Sequence, residues 1–347
     1  MRKIRVLVVD DSALVRKMVS DALSEDPDIE IAAVAANGKI AIQKVTQCSP
    51  DIISLDVEMP EMGGIETVKE IRKTHPKLPI IMFSALTERG GMATLEALGA
   101  GATDYVTKPT SADGGVAVRE LIKERLVGKI KALVRFGSGS SSESQTLPSA
   151  ARRAGIIAQP RIVAIGVSTG GPNALAEMLP MIPAGFKLPV VIVQHMPPVF
   201  TKALAERLDT KCKLRVHEAA QGMTIEPGNI YIAPGDYHME LRRVAARVEV
   251  LLQQGPQENS CRPSVDPLFR SAVQVYGAHV LALILTGMGQ DGLRGCEHVH
   301  AAGGQILAQD RASSVVWGMP GFVAQAGLAE KVLPLSAIAD EIVRRAW

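Results

Sequence analysis

Ser168, His195 and Asp291 are the residues whose types and spacing best suit chemistry in this chain. Ser168 closes an apolar run inside RIVAIGVSTGGPN, residues 161–173, and Gly166, Gly170 and Gly171 around it permit tight backbone turns. The β-branched segment 162–167 predicts a buried parallel strand, so the serine falls where strand turns into helix, beside backbone N–H groups. His195 follows a second such run at 188–193, and Asp291 lies in TGMGQDG after a third at 280–285. If the three strands are parallel neighbours, the three side chains reach one sheet edge. A serine at neutral pH needs a base to take its proton, the imidazole needs a carboxylate to fix its tautomer, and a tetrahedral intermediate needs donors for its oxyanion. Thr169 N–H and the backbone around Met288 are the candidate donors. Taken singly, each residue has a plainer reading: a phosphate-cradling turn, a structural histidine, a turn aspartate. The order Ser, His, Asp differs from the Ser, Asp, His order of the α/β-hydrolase fold.

A second group of polar residues gathers in the first third of the chain. Apolar runs at 4–9, 52–55 and 80–83 end in Asp10 and Asp11, in Asp56 and in Ser84, and a run at 105–106 leads into Lys108. Helical patterns separate them, the first capped by Ser12. This βα alternation predicts a doubly wound parallel sheet whose functional groups collect beyond the carboxyl ends of the strands. Converging carboxylates repel one another unless a hard cation intervenes; oxygen ligands with retained waters suit magnesium, and Lys108 adds a mobile positive charge. Such a group is fitted to phosphoryl transfer.

The elements that must position these residues set the organisation. A chain of 347 residues is long enough for two domains with sizeable cores. Near-equal numbers of acids and bases leave a net charge of +2, and the second half shows no helix-turn-helix signature, so neither nucleic acid nor a DNA-binding output is expected. Cys48, Cys212, Cys261 and Cys296 lack zinc-site spacing and suit free thiols in a reducing compartment. The start, MRKIRVLVVDD, reads as neither signal peptide nor membrane span, so a cytoplasmic protein without membrane insertion is expected. Residues 119–136 continue the last helix of the first domain with a solvated basic face, and 137–159, opening with GSGSSSESQ, read as a flexible tether.

The expected domains are therefore 1–125, a helix extension and linker at 126–160, and a second domain at 161–347. In the latter, segments 229–233 and 238–253 predict antiparallel hairpins around Gly235, an excursion at one sheet edge. Helices are expected at 265–276 and 335–345, and a further strand at 305–308. The fold class is α/β: two doubly wound parallel-sheet domains, the first flavodoxin-like, the second an α/β serine-hydrolase domain with an antiparallel hairpin excursion.

VLVVDDSALVR, DIISLDVEMPEMGGIE, IIMFSAL and GATDYVTKP resemble the receiver domain of two-component response regulators. That resemblance implies that Asp56 accepts a phosphoryl group from a histidine kinase and that Asp10, Asp11 and Asp56 hold magnesium. It also implies that Ser84 and Lys108 contact phosphoryl oxygens and that Tyr105 rearranges on activation. AIGVSTGGP, IVQHMP, IAPGDYHM, RPSVDPLF, LTGMGQDG and AQDRASSVVWGMP resemble the catalytic domain of the chemotaxis protein-glutamate methylesterases. By this resemblance Ser168, His195 and Asp291 form a catalytic triad, and Met288 lies at the oxyanion hole. It implies no cofactor for the esterase reaction, a glutamate methyl ester on a chemoreceptor as substrate, and glutamine deamidation as a second activity. Cys261 departs from the pattern, standing in CRPSVD where the resemblance leads one to expect a histidine. The competing class is a receiver-linked docking or ligand-binding module in which GVSTGG cradles an anion and no ester is cleaved.

Overall fold

Short runs of Val, Ile and Leu that are apolar on both faces are satisfied inside a parallel sheet with helices on each side, and both units of this chain are built so. The computed structural model describes residues 2–109, 115–137 and 158–347, and the chain divides into two units between residues 141 and 142. The tether expected at 137–159 falls, from 138 to 157, outside the described residues.

The first unit runs β1 (Ile4–Val9), α1 (Ala13–Ser24), β2 (Ile29–Ala35), α2 (Gly38–Cys48), β3 (Ile52–Asp56), α3 (Gly64–Thr74), β4 (Ile80–Ser84), α4 (Glu88–Gly99), β5 (Asp104–Thr107) and α5 (Gly115–Gly137). Its strands are parallel in the order β2-β1-β3-β4-β5. Ser12, Asn37 and Thr87 each cap a helix by accepting a backbone N–H two or three residues into it, which starts α1, α2 and α4 directly after a strand end. On α5, Ile122, Leu126, Ile130 and Leu133 are buried at helical spacing. The basic face of α5 is not simply solvated: Arg119 and Lys123 pair with Glu25, and Lys131 with Asp26 and Asp28. Those acids lie just after α1, which sequence spacing could not bring opposite α5.

The second unit runs β6 (Ile162–Val167), α6 (Gly171–Met178), β7 (Val190–Gln194), α7 (Phe200–Asp209), β8 (Arg215–Glu218), β9 (Asn229–Ile232), β10 (His238–Val244), β11 (Arg247–Gln253), α8 (Val265–Tyr276), β12 (Val280–Ile284), α9 (Leu293–Ala301), β13 (Gln305–Gln309), α10 (Met319–Gln325), β14 (Lys331–Leu333) and α11 (Leu335–Ala346). Seven strands form one parallel sheet in the order β14-β13-β12-β6-β7-β9-β8. From β6 the chain builds first toward β8 and then, after β11, toward β14. β6 is thus the topological switch point, and the crevice beyond its carboxyl end is where an open α/β sheet admits a ligand.

The region after α7 differs from expectation. Residues 229–232 form a parallel strand between β7 and β8, and the antiparallel hairpin is β10 with β11, turning at Ala245, whose φ is 52°. Gly235 is no hairpin turn; a Cβ there would stand 2.1 Å from Pro198 N. Asn229–Ile232 reads NIYI, a period that cannot tell a half-buried antiparallel strand from a buried parallel one. The hairpin packs on α8: Met239, Leu241, Val248 and Val250 join Leu268, Phe269 and Ala272 in one apolar cluster. β8 and β14, of four and three residues, carry no periodic signal and were not expected. Among the described residues no helix is long and apolar enough to cross a membrane.

Glu341 of α11 anchors the last helix. Its carboxylate is 8% exposed and lies 2.7 Å from Arg344, 2.8 Å from Arg345 and 3.0 Å from Lys331. The Arg344 hydrogen bond, opposed by burial and reinforced by Arg345 and Lys331, holds its pKa at about 2 against an ordinary 4.5. A carboxyl lowered on folding stabilises fully above its unfolded value and loses that contribution as pH falls through the folded one. Glu341→Gln is expected to cost about 1 to 3 kcal/mol at neutral pH. Thermal melts from pH 5 to pH 2 should show a shallower acid-side loss in the variant than in the parent; equal slopes would remove Glu341 from the acid response.

Candidate active site

Ser168 is placed by the end of β6. Its N–H donates to Thr286 O at 3.0 Å, while its carbonyl accepts from Gly171 N at 2.8 Å and from Gln194 Nε2 at 3.0 Å. The turn into α6 passes through Gly170 at φ 76°, a left-handed conformation, and a Cβ there would meet Val315 at 2.7 Å. These constraints leave the Ser168 side chain half-buried at the strand edge. The loop after β12 lies against it: a Cβ on Gly287 would come within 2.8 Å of Ser168 Cβ, and Thr286 Oγ1 donates to Thr169 O at 2.9 Å. Because the Ser168 N–H is already engaged, an oxyanion beside Oγ must find other donors. Among the described residues, Thr169 N–H and Met288 N–H take no protein acceptor.

His195 follows β7, and its N–H donates to Val167 O at 3.2 Å, which sets the histidine beside the serine's strand end. Its ring is 13% exposed, with Nε2 2.7 Å from Asp291 Oδ2 and Nδ1 3.6 Å from Cys261 Sγ. In the neutral ring this network assigns the proton to Nε2 and leaves Nδ1 as acceptor. Among the described residues Ser168 Oγ makes no hydrogen bond to the ring; the link between the two strand ends runs from His195 N–H to Val167 O and from Gln194 Nε2 to Ser168 O.

Asp291 is 2% exposed and heavily bonded. It accepts from Ser264 Oγ at 2.7 Å, Val265 N at 2.7 Å, Asn259 Nδ2 at 2.8 Å, Gly292 N at 2.9 Å and Asp266 N at 3.3 Å. Val265 and Asp266 open α8, whose N-cap Ser264 makes no capping bond of its own, so Asp291 is the helix's cap from across the sheet. The positive end of the helix favours the anion. Burial works to raise the Asp291 carboxyl, yet the bond and charge of His195, with Val265 N–H and Ser264, hold it below the ordinary range. Burial likewise works to lower the imidazole, and the bonds to Asp291 and Cys261 outweigh it and raise the His195 pKa.

Asn259, Ser264 and His238 carry the arrangement, although sequence reasoning passed over them. His238 donates from Nε2 to Pro256 O at 2.9 Å and accepts Ser264 N–H on Nδ1 at 3.2 Å, which seats Ser264 under Asp291. Asn259, in a turn with φ 52°, bonds both Asp266 and Asp291. Polar residues in CRPSVDP and DYH were the available signal, but no periodicity points from them to Asp291.

In the first unit Lys108 Nζ lies 2.8 Å from Asp10 Oδ2 and 2.8 Å from Asp56 Oδ2. Burial pushes the Asp56 carboxyl up to about 6 although Lys108 pulls it down, and the two carboxylates raise the Lys108 pKa against its own burial. Oxygen atoms of Asp10, Asp11 and Asp56 lie within 4.8 Å of one another, with Asp11 exposed to solvent, which fits a hard divalent cation that keeps part of its water. Ser84, on the neighbouring strand, gives its hydroxyl to Gly90 O at 3.2 Å rather than to Asp56. Tyr105 is buried on β5, with Lys129 Nζ 5.4 Å from its ring centroid.

A lysine held between two buried carboxylates at the edge of a sheet ordered 2-1-3-4-5 is the arrangement of a receiver, here followed by a second doubly wound sheet with polar groups gathered at its switch point. The protein is of the response-regulator class, with an α/β output domain of hydrolase type. Residues 6–118 match the response regulator receiver domain and residues 163–342 match CheB methylesterase. The chain is 50% identical to the protein-glutamate methylesterase/protein-glutamine glutaminase of Trichodesmium erythraeum, covering 99% of each, and 52% identical to that of a Nocardioides species, covering 99% of this chain and 95% of the relative. The crystal structure of the Thermotoga maritima CheB methylesterase catalytic domain is 43% identical, with a TM-score of 0.53 over 54% of this chain and 99% of that one. The chain belongs to the CheB methylesterase family.

The donors around Asp291 should act as one network. Ser264→Ala and Asn259→Ala are each expected to cost about 1.5 to 3 kcal/mol, the range for hydrogen bonds to a charged group. In an Asp291→Asn background the same changes should cost distinctly less, as read by denaturant unfolding in a double-mutant cycle. Strict additivity would mean that Ser264 and Asn259 stabilise something other than this carboxylate.

Proposed function

We propose that this protein is a phosphorylation-controlled esterase that hydrolyses glutamate methyl esters on chemoreceptors, releasing methanol, and that it deamidates receptor glutamines as a second activity. The observation that carries the reading is the 2.7 Å His195–Asp291 pair at the strand edge beside Ser168, in a chain whose full-length relatives bear that name. Ser168 Oγ attacks the ester carbonyl while His195 takes its proton at Nδ1, the nitrogen that Asp291 leaves open. Apo hydrogen bonds at such sites are commonly long and tighten with substrate, so the unmade Ser168–His195 bond is compatible with this role. Thr169 N–H and Met288 N–H receive the oxyanion, and His195 returns the proton to the departing methoxide. Water then repeats the sequence on the acyl-serine. Asp291, anchored at the start of α8, keeps the ring in one tautomer and stabilises the imidazolium that forms.

In the receiver, Asp56 is the phosphoryl acceptor for a histidine kinase, and Asp10, Asp11 and Asp56 would hold magnesium, which when bound neutralises charge on the transferring group. Lys108 and Ser84 take phosphoryl oxygens, and Tyr105 responds to the change. The reactions are placed in the cytoplasm, where receptor signalling domains and kinase are accessible.

Ser168→Ala should fold normally and lose most of its methanol release from methylated receptor, since what survives loss of a triad member is about 10³- to 10⁴-fold over water. Near-parental turnover in a folded variant would leave only the docking reading. A small-molecule phosphodonor should raise the rate of the full chain by roughly 5- to 150-fold, the usual range of allosteric coupling, and leave Asp56→Asn unchanged. Equal stimulation of both proteins would detach Asp56 from control.

A further inference from the structure

The reaction above uses no cysteine, yet one is built into its centre. Cys261 closes a tight turn in which Cys261 N donates to Glu258 O at 2.9 Å and Glu258 N to Cys261 O at 3.2 Å. The next residue, Arg262, is fixed by hydrogen bonds of 2.6 and 3.0 Å to Asp236 Oδ1, and Glu258 is fixed by Arg270 at 2.7 Å. Both ends of the turn are therefore anchored, and Sγ is held 3.6 Å from His195 Nδ1. Since Asp291 occupies Nε2, the sulfur stands on the one ring nitrogen that Ser168 can use. Cys261 is thus the outer member of a thiol–imidazole–carboxylate line that shares its base with the serine.

The other three thiols lie in different settings. Cys296 is fully buried and its thiol is pushed well up by burial, Cys212 is raised to about 11 by burial and Asp209, and Cys48 is partly buried near the end of α2. Cys261 is partly exposed beside an imidazole, the environment in which a cysteine reacts with electrophiles and disulfides. A thiol is also intrinsically a stronger nucleophile than the hydroxyl of Ser168.

We infer that Cys261 is a reversible modification site that switches this centre, capturing small-molecule disulfides as a mixed disulfide and releasing them to a thiol reductant. The Sγ proton passes to His195 Nδ1 as sulfur attacks one sulfur of the disulfide RS–SR. The S–S bond breaks, a Cys261–SR bond forms, and the departing RS⁻ takes the proton from His195 to leave as RSH. Cys261 is oxidised and one RS group is reduced. The attached group then sits against Nδ1, where a substrate ester would have to approach, and the serine loses its base. The thiol chemistry stands independently of the function proposed above; only its effect on turnover rests on that reading.

The test treats the full-length protein with 5,5′-dithiobis(2-nitrobenzoate) and follows each cysteine by peptide mass spectrometry, alongside methanol release. Cys261 should be labelled about 10-fold faster than Cys48 or Cys212, and His195→Gln should slow Cys261 while Ser168→Ala does not. Methanol release should fall in step with Cys261 labelling and return with dithiothreitol, and treatment should leave the rate of Cys261→Ser where it was before treatment. Labelling of Cys261 no faster than Cys48 in the parent protein would overturn the proposal, whatever the variants do. So would labelled enzyme that turns over at its untreated rate. Protein that releases no methanol even before treatment would instead sink the esterase reading, while the labelling rates still decide the reactivity of the thiol.

Discussion

The Asp291 carboxylate is the group on which the arrangement of the second unit's candidate site depends. A buried anion is tolerated only when donors replace its lost water, and here they come from four separate segments: the turn at Asn259, the first turn of α8, the loop of Asp291 itself and the His195 ring. The same hydrogen bonds that satisfy the charge cap α8 and orient the imidazole, so fold stability and ring geometry are set by one interaction. His238 extends the network a step further by seating Ser264. The turn at Asn259 and the start of α8 are thereby tied to His195 through Asp291.

The two units solve opposite electrostatic problems with the same architecture. Both place polar groups beyond the carboxyl ends of parallel strands, where helix starts and loops leave room among buried apolar layers. In the first unit the strand ends bring carboxylates together, and Lys108 bridges Asp10 and Asp56 while leaving oxygens that suit a cation. In the second unit the Asp291 carboxylate is surrounded by donors, one of them the His195 ring. The first arrangement suits binding and transfer of an anionic group, the second the withdrawal of a proton.

Access to His195 Nδ1 is the other constraint. The ring is held by Asp291 at Nε2, so a single nitrogen is left, and the turn at 258–261 delivers a thiol to it. The loop after β12 brings Gly287 against Ser168 and leaves Met288 exposed. Which of Ser168 and Cys261 reaches Nδ1 is therefore a matter of ångström-scale positions of loops rather than of strand order.

The strand ends that carry Asp10, Asp56, Ser168, His195 and Asp291 were legible in the residues themselves, because an apolar run that ends in a polar residue fixes where that residue emerges from a buried sheet. Caps such as Ser12 and the amphipathic face of α5 were legible for the same local reason. What local pattern could not carry was partner choice. NIYI at 229–232 fits either strand direction, and only its pairing with β7 and β8 settled it. The acids just after α1 that face α5, and the donors from Asn259, Ser264 and His238, depend on contacts between segments tens of residues apart, and no periodicity marks the turn of the Ser84 hydroxyl to Gly90 instead of Asp56. The sequence determined which side chains stand at the two sheet edges, through hydrophobic periodicity that needs only neighbouring residues. Tertiary packing alone decided which donor each of them meets, including the sulfur of Cys261 on His195, because hydrogen bonds and ion pairs are fixed by distances that no spacing along the chain encodes.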